Sequence, residues 1–398
     1  MPLAEILYSI GQWSGFLALV SLALLIFSGD TARYSDRFFG LDKIIKFQRK
    51  FSILSFVFLF LHPIFFILAG QSFVNYFIPA FYILPLALGT LAFYVFVAVM
   101  LFSYFYKKIS YQAWQYIHVL TYLLFLSSLY HAFFWGSDSD KLFFIITYIF
   151  LLFIIIVGAI YRSIYKIKEK RRGPASVVSI KWESDDIFTL VLKTNKKMNF
   201  KAGQFCFLRL DKPRLYARHP FSISSDPKEE NLSFAIKNTG RFTSAISKLK
   251  AGDKINLDGP FGVFTAKRRL QDVVFIAGGI GITPFRSLIK DFSNQHRPGK
   301  NILIYCAKKE KDLVFYKEII DLPNIDLKTI CILSEDKNNI NNYLHGYLSK
   351  EILVEAIKDL KNPYFYICGP EPLKDSAMQI IKSLGVSKNK IIFESFFW

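Results

Sequence analysis

The sequence predicts an α-helical membrane bundle followed by a small antiparallel β barrel and a parallel α/β domain. Three observations carry this expectation. Long charge-free runs are confined to the first 165 residues, the composition changes at Gly173, and apolar strands alternate with helical stretches after about residue 270. At 398 residues the chain has room for two to three domains. Its net charge is +19, yet 52% of its residues are hydrophobic and Phe alone contributes 42. A disordered or nucleic-acid-binding tail would be poor in such residues, so no nucleic-acid partner is expected. Basic loops between apolar spans account for both numbers.

No charged residue occurs from Ile6 to Gly29, from Phe51 to Tyr106, from Ile109 to Ser137 or from Leu142 to Tyr161. Each run meets the roughly 20-residue need of a membrane-spanning helix. We read five spans, at about 8–28, 47–70, 78–105, 112–134 and 142–165. The break after the first span holds Arg33, Arg37, Lys43, Lys46, Arg49 and Lys50; the break after the third holds Lys107 and Lys108; Lys166 to Arg172 follow the fifth. Residues 70–77 contain no basic residue and 135–141 only Lys141. The basic ends face the cytoplasm, which puts the N-terminus outside and the C-terminal half inside a plasma membrane.

From Gly173 short alternating strands appear, at Ala175 to Lys181 and Ile187 to Lys193, with turn signals at Asp226-Pro227 and Ala251-Gly252-Asp253. This pattern reads as an antiparallel barrel. Later come strands at Val273 to Ala277, Asn301 to Cys306, Tyr364 to Cys368 and Lys390 to Phe393, with helical stretches at Thr283 to Phe292, Leu313 to Ile320 and Glu371 to Leu384. That alternation reads as a parallel sheet with helices on both faces. The expected domains are 1–168, 174–268 and 269–398. The four cysteines form no Cys-x-x-Cys pair and are expected to be reduced thiols. No cleavable signal, internal repeat or EF-hand loop is evident.

Three of the six histidines, His62, His118 and His131, fall in expected spans. An imidazole in the hydrocarbon layer needs a partner or a function. His118 and His131 are 13 residues apart on one helix, hence ~20 Å apart along its axis, and are read as one face at two depths. His62 and His131 both lie late in inward-to-outward spans, so they are expected to meet near the outer leaflet. Two neutral imidazoles facing each other suit bis-axial ligation of a haem iron.

This pattern resembles the transmembrane ferric reductase and NADPH oxidase superfamily, whose members carry paired histidines on two helices and stack two haems. The resemblance covers nearly the whole chain. It implies an α-helical transmembrane haem bundle plus a cytoplasmic ferredoxin–NADP reductase-like module, with haem b (one or two), FAD and NADPH or NADH as cofactors. Gln48 stands 14 residues before His62, where relatives have a histidine, and five spans are read where the family usually has six. The outer pair His62 and His131 is therefore the expected metal site, with His118 alone at the inner position.

Residues 218–225 read Arg218-His219-Pro220-Phe221-Ser222-Ile223-Ser224-Ser225. The His-Pro-Phe-Ser core resembles the flavin strand of the NADPH oxidases and is similar to the Arg-x-Tyr-Ser motif of ferredoxin–NADP reductases. The resemblance implies that Phe221 covers the flavin ring, Ser222 bonds near its reactive nitrogen, and His219 meets phosphate. Ile236-Lys237 and Gly240-Arg241-Phe242-Thr243 follow, opening a helical stretch that binds the FAD diphosphate in relatives, with Thr243 capping. Gly259-Pro260-Phe261-Gly262 resembles the turn closing the barrel.

The strongest local motif is Phe275-Ile276-Ala277-Gly278-Gly279-Ile280-Gly281-Ile282-Thr283-Pro284, a strand running through glycines into a helix. Gly279 and Gly281 let the backbone approach a nucleotide, and the helix start at Thr283-Pro284 favours its diphosphate. It resembles the NADPH loop of the superfamily. There Cys368 of Cys368-Gly369-Pro370 would sit by the nicotinamide, and Lys308 and Lys309 would meet a ribose 2′-phosphate or else form a solvated face. At the C-terminus Phe396 is in register to stack on flavin and gate hydride transfer, or else Phe397 or Trp398 beyond it would do so. The implied activity is NAD(P)H oxidation with outward electron transfer to O2, giving superoxide, or to a ferric chelate. The short outer breaks favour O2. No obligatory cytosolic activator is expected. A membrane-anchored flavoreductase without haem, and a cytochrome serving a quinone or another protein, are the alternatives.

Overall fold

The computed structural model describes residues 2–105, 111–212, 215, 217–267, 272–336 and 343–394. The chain divides into two compact units, Met1–Arg171 and Arg172–Trp398.

The first unit is helical: α1 (Leu3–Asp30), α2 (Ala32–Phe39), α3 (Leu41–Leu68), α4 (Val74–Phe77), α5 (Leu84–Tyr104), α6 (Tyr111–Trp135) and α7 (Leu142–Arg172). Five of them, α1, α3, α5, α6 and α7, are long and apolar enough to cross a membrane, as the sequence predicts. They are apolar on all sides because one side meets the bundle and the other meets lipid. Leu22, Ala23, Phe96, Phe125 and Leu151 pack in the core, whereas Ile53, Ile149 and Phe153 are exposed. Several boundaries differ from expectation: α1 begins at Leu3 rather than 8, α3 begins at Leu41 rather than 47, and α7 ends at Arg172 rather than 165. The third span begins at Leu84 rather than 78, with Pro85 in its first turn, where a missing N–H costs nothing. The short helix α2 was not expected; its aromatic and basic residues make it amphipathic rather than apolar.

The second unit holds two six-stranded sheets. The barrel comprises β1 (Ala175–Trp182), β2 (Ile187–Lys193), β3 (Phe205–Arg209), β4 (His219–Ser222), β5 (Leu232–Lys237) and β6 (Lys254–Phe261), in the order β4-β3-β6-β1-β2-β5, all antiparallel. Ser224 N–H donates to Ser233 O, tying the chain after β4 to β5. A short helix, α8 (Arg241–Ile246), follows β5, and its Phe242 and Ile246 fill the barrel with Leu190, Phe234 and Leu257.

The second sheet is parallel: β7 (Val273–Gly278), β8 (Lys300–Ala307), β9 (Asp326–Leu333), β10 (Leu344–His345), β11 (Tyr364–Cys368) and β12 (Ile391–Glu394), in the order β10-β9-β8-β7-β11-β12. On one face α9 (Ile282–Asn294) and α10 (Tyr316–Ile320) bury Phe285, Leu288 and Ile319. On the other, α11 (Lys350–Ile357) and α12 (Glu371–Ser383) bury Leu353, Ala356, Ala377 and Ile381. The strands β9 and β10 and the helix α11 were not read from the sequence. Lys328 and Thr329 interrupt the apolar run of β9, and β10 has two residues.

Candidate functional site

Within the first unit, the His62 and His131 rings lie 6.2 Å apart at 83° to one another. Each is fixed from behind. His62 Nδ1 is 2.9 Å from the Gly11 carbonyl oxygen and His131 Nδ1 is 3.0 Å from the Pro85 carbonyl oxygen. A carbonyl only accepts, so both protons sit on Nδ1 and both Nε2 atoms keep their lone pairs. A glycine makes each approach possible: a Cβ on Gly15 or on Gly89 would come within 2.5 Å of the facing Nδ1. Both rings line a cavity of about 510 Å³ with Leu19, Leu59, Phe93 and Phe96.

Among the described residues no cluster of three or more His, Cys, Asp or Glu could hold a metal. Two imidazoles therefore suit an iron whose other ligands come with it, as in a porphyrin. The 6.2 Å between the ring centroids leaves space for an atom held by both imidazoles. The residues fit a haem at this position.

The inner position does not fit in the same way. Gln48 Nε2 donates to Ser28 Oγ at 3.0 Å. One helical turn beyond His118, Tyr122 donates to Asp30 at 2.7 Å, and Arg162 donates to the same carboxylate at 3.1 Å. The reading of His118 and His131 as one face also needs correction. Thirteen steps of about 100° leave them about 140° apart on an ideal helix, and the cavity reaches His131 but not His118.

In the barrel, β4 presents the flavin-strand residues. Ser222 is buried and its Oγ has no partner among the described residues, an orphaned hydroxyl that a flavin nitrogen would satisfy. His219 stacks on Phe242 with 4.1 Å between centroids, and Phe221 lies 6.2 Å from Phe242 in a nearly parallel plane. Burial holds His219 below its ordinary pKa, which favours the neutral ring. Arg218 is occupied by Asp258 at 3.2 Å. Thr243 Oγ1 accepts from the backbone N–H of Thr239 and Gly240 at 3.1 and 3.0 Å, the capping role expected of it. Ile236 is fully buried and Lys237 pairs with Asp186 at 3.1 Å, both in register with β2. Pro220 faces Phe207 across the β3–β4 ladder.

At the end of β7 the glycines divide their tasks. Gly279 has φ +51 with open space where a Cβ would project. Gly281 instead meets protein: a Cβ there would lie 2.2 Å from the Cys368 carbonyl oxygen. Gly369 also approaches Gly278 closely, so the loops after β7 and β11 touch backbone to backbone beside Pro370. Thr283 Oγ1 donates to Ile280 O at 2.7 Å, and Pro284 follows in the first turn of α9. Cys368 is fully buried, paired in register with Ala277 and Glu394. Burial, then the Glu394 carboxylate, push its thiol well above the ordinary range. It should resist alkylation by iodoacetamide at pH 8 and react only in denaturant, as followed by mass spectrometry; labelling of the folded protein would contradict this. Lys308 pairs with Glu335 at 2.7 Å. Phe396, Phe397 and Trp398 lie outside the described residues.

Three family models match in sequence along the chain: a ferric reductase like transmembrane component over residues 14–129, an FAD-binding domain over 173–265, and an oxidoreductase NAD-binding domain over 275–379. The chain has the architecture of the NADPH oxidase and ferric reductase-like flavocytochromes. Membrane-length helices are thus followed by segments that match an FAD-binding domain and an oxidoreductase NAD-binding domain. One component of the Na(+)-translocating NADH-quinone reductase from Pseudoalteromonas atlantica is 31% identical over 179 residues, 43% of each chain. The reductase component of propane 2-monooxygenase from Mycolicibacterium goodii is 28% identical over 235 residues, 55% of this chain and 66% of that one. The chain thus spans less than half of the first relative and less than two thirds of the second. A ferredoxin NADP+ reductase from Neisseria gonorrhoeae, solved with bound FAD and NADP, superposes on 56% of the chain with TM-score 0.51 at 20% identity, covering 98% of that structure. At that identity the likeness establishes the fold of the reductase half.

Sequence reasoning missed three groups of residues in this chain. Gly15 and Gly89 are ordinary small residues until the facing rings are known. Asp30 was a visible acid at the end of a span, but its partners lie 92 and 132 residues away. Arg286 grips Glu318 with two bonds of 2.9 and 2.8 Å and donates to Ser224 O at 3.1 Å, joining α9 to the segment that follows Ser222.

Proposed function

We propose that the chain is a transmembrane NAD(P)H oxidase that moves electrons from cytoplasmic NADPH or NADH, by way of FAD and haem b, to O2 on the outer side, giving superoxide. The observation that carries this reading is the His62–His131 pair, with both Nδ1 atoms tied to carbonyls and both rings lining one cavity. When bound, FAD supplies the conversion of a hydride into single electrons and haem supplies a one-electron carrier within the bilayer.

The chain's own residues bind and orient. The Gly279 turn leaves room for the nucleotide, and Gly281 and Gly369 press the two loops together so that Cys368 is held at the end of β11. Cys368, as a neutral thiol, adds no charge where the nicotinamide would lie. Ser222 offers its hydroxyl and His219 a neutral ring nitrogen to the flavin side. Phe396 or Phe397 is the aromatic proposed to cover the flavin. The reading divides the chain at 1–168, 174–268 and 269–398, with the reductase half in the cytoplasm because basic residues crowd the ends that lead to it.

The test is NADPH added to purified, FAD-supplemented protein without any cytosolic subunit. Reduction of cytochrome c that superoxide dismutase abolishes, together with a bis-imidazole reduced-minus-oxidised spectrum, is expected. Reduction of a ferric chelate without superoxide would move the acceptor to the chelate, and a preparation free of porphyrin bands would reduce the chain to an anchored flavoreductase. Cofactor preference has its own handle. The Lys308–Glu335 pair must open for Lys308 to meet a 2′-phosphate, so Glu335→Gln should raise the kcat/KM ratio of NADPH over NADH by roughly two- to fivefold, the range of an exposed ion pair.

A further inference from the structure

Three features of the α2–α3 corner belong together. The exposed apolar residues of α3 run as one stripe, with Ile53, Leu54, Val57, Ile64 and Leu68 all facing outward. At about 100° per residue, Lys43, Lys46, Phe47 and Lys50 continue the same stripe within about 120° of arc. These residues are exposed too. The lysines therefore stand directly beyond the acyl-facing surface, with Lys50 ~6 Å from Leu54 along the axis.

Next to them, α2 exposes Tyr34, Arg37, Phe38 and Phe39 while burying Asp36. Exposed aromatics beside a basic residue on a short amphipathic helix suit the headgroup layer, where rings enter the acyl boundary and cations stay at the phosphates. The charges are also available. Among the described residues neither Lys43, Lys50 nor Arg37 has an acidic partner within 4.0 Å, and Lys46 meets Asp42 only at 3.9 Å.

We infer that this corner is a binding site for an anionic phospholipid, with acyl chains along Ile53, Leu54 and Val57 and the headgroup phosphate among Lys43, Lys46, Lys50 and Arg37. A zwitterionic lipid places a compensating cation beside its phosphate and gains little there; a headgroup of net negative charge gains from every lysine. The inference rests on the membrane spans alone and stands independently of the acceptor or the haem.

The test compares full-length protein in nanodiscs of phosphatidylcholine with nanodiscs containing phosphatidylglycerol, and counts lipids retained by native mass spectrometry after detergent release. Phosphatidylglycerol should be retained preferentially and should raise the unfolding temperature above that in phosphatidylcholine. Replacing the three lysines together (K43Q, K46Q, K50Q) should weaken its retention on the order of a hundredfold, at roughly fivefold per lysine. The triple arginine variant (K43R, K46R, K50R) should keep the preference, and inorganic phosphate should not reproduce the thermal shift. Equal retention of the two lipids, an undiminished preference in the triple glutamine variant, or a full shift from phosphate alone would each overturn the site.

Discussion

Replacing Gly89 by alanine is expected to strip the membrane half of porphyrin absorbance while leaving the reductase half working. The added Cβ would lie 2.5 Å from His131 Nδ1, well inside contact distance, and the ring would have to leave the Pro85 carbonyl that holds it. Alanine improves a helix interior relative to glycine by about 1 kcal/mol, so α5 itself should not suffer. What is lost is orientation: partners that fix a ligating imidazole are worth roughly 10–100-fold in affinity for the group it binds. Gly15→Ala should do the same to His62 from the side of α1. His131→Ala removes the ligand outright and sets the limit of the series. In all three variants, NADPH-driven reduction of a soluble dye should stay within about twofold of the parent, because the flavin and nucleotide residues lie in a separate unit. Haem content by the pyridine haemochrome assay and dye reduction together decide the matter. Normal haem in Gly89→Ala would break the account of the pair, and loss of both activities would break the separation into modules.

The sequence carried the architecture because its strongest signals are physical necessities. A bilayer demands charge-free runs, so five helices could be placed to within a few residues. Parallel strands buried on both faces demand continuous apolar segments, so β7, β8 and β11 were visible. β9 was not, because its first half is only partly buried and so tolerates Lys328. The His62–His131 meeting was legible from depth alone, as both fall late in spans running the same way. The His118 position was misjudged because axial spacing was weighed without the accompanying rotation. The distances that make a site were hidden from the sequence. Nothing there distinguishes Gly279, whose side faces open space, from Gly281, whose side faces the Cys368 carbonyl, although both sit in one glycine motif. Likewise Lys308 reads as a free cation until Glu335 is folded beside it.

That contrast between two glycines gives the second large expected effect. Gly281→Ala should destabilise the reductase half, because its Cβ would lie 2.2 Å from the Cys368 carbonyl oxygen and 2.9 Å from the Gly369 backbone nitrogen. Neither neighbour is the end of a flexible side chain. Relief requires the β7 and β11 loops to part, and overpacking of this kind costs about 1–3 kcal/mol, occasionally more. For a unit of this size each kcal/mol lowers the unfolding temperature by roughly 2–4 °C, so a fall of about 2–12 °C is expected. Gly279→Ala meets no neighbour within 4 Å; its penalty is the left-handed backbone at φ +51, about 1–2 kcal/mol. Its methyl group, however, projects into the space left for the nucleotide. The two variants should therefore separate: Gly281→Ala loses thermal stability first, and Gly279→Ala loses NADPH affinity first, with KM rising several-fold while FAD is retained. Thermal melts and steady-state NADPH kinetics on both proteins supply the comparison. If Gly281→Ala melted with the parent, the tight contact of the β7 and β11 loops would not be what holds Cys368 in place, and if Gly279→Ala bound NADPH normally, the open side of that turn would not be where the nucleotide lies.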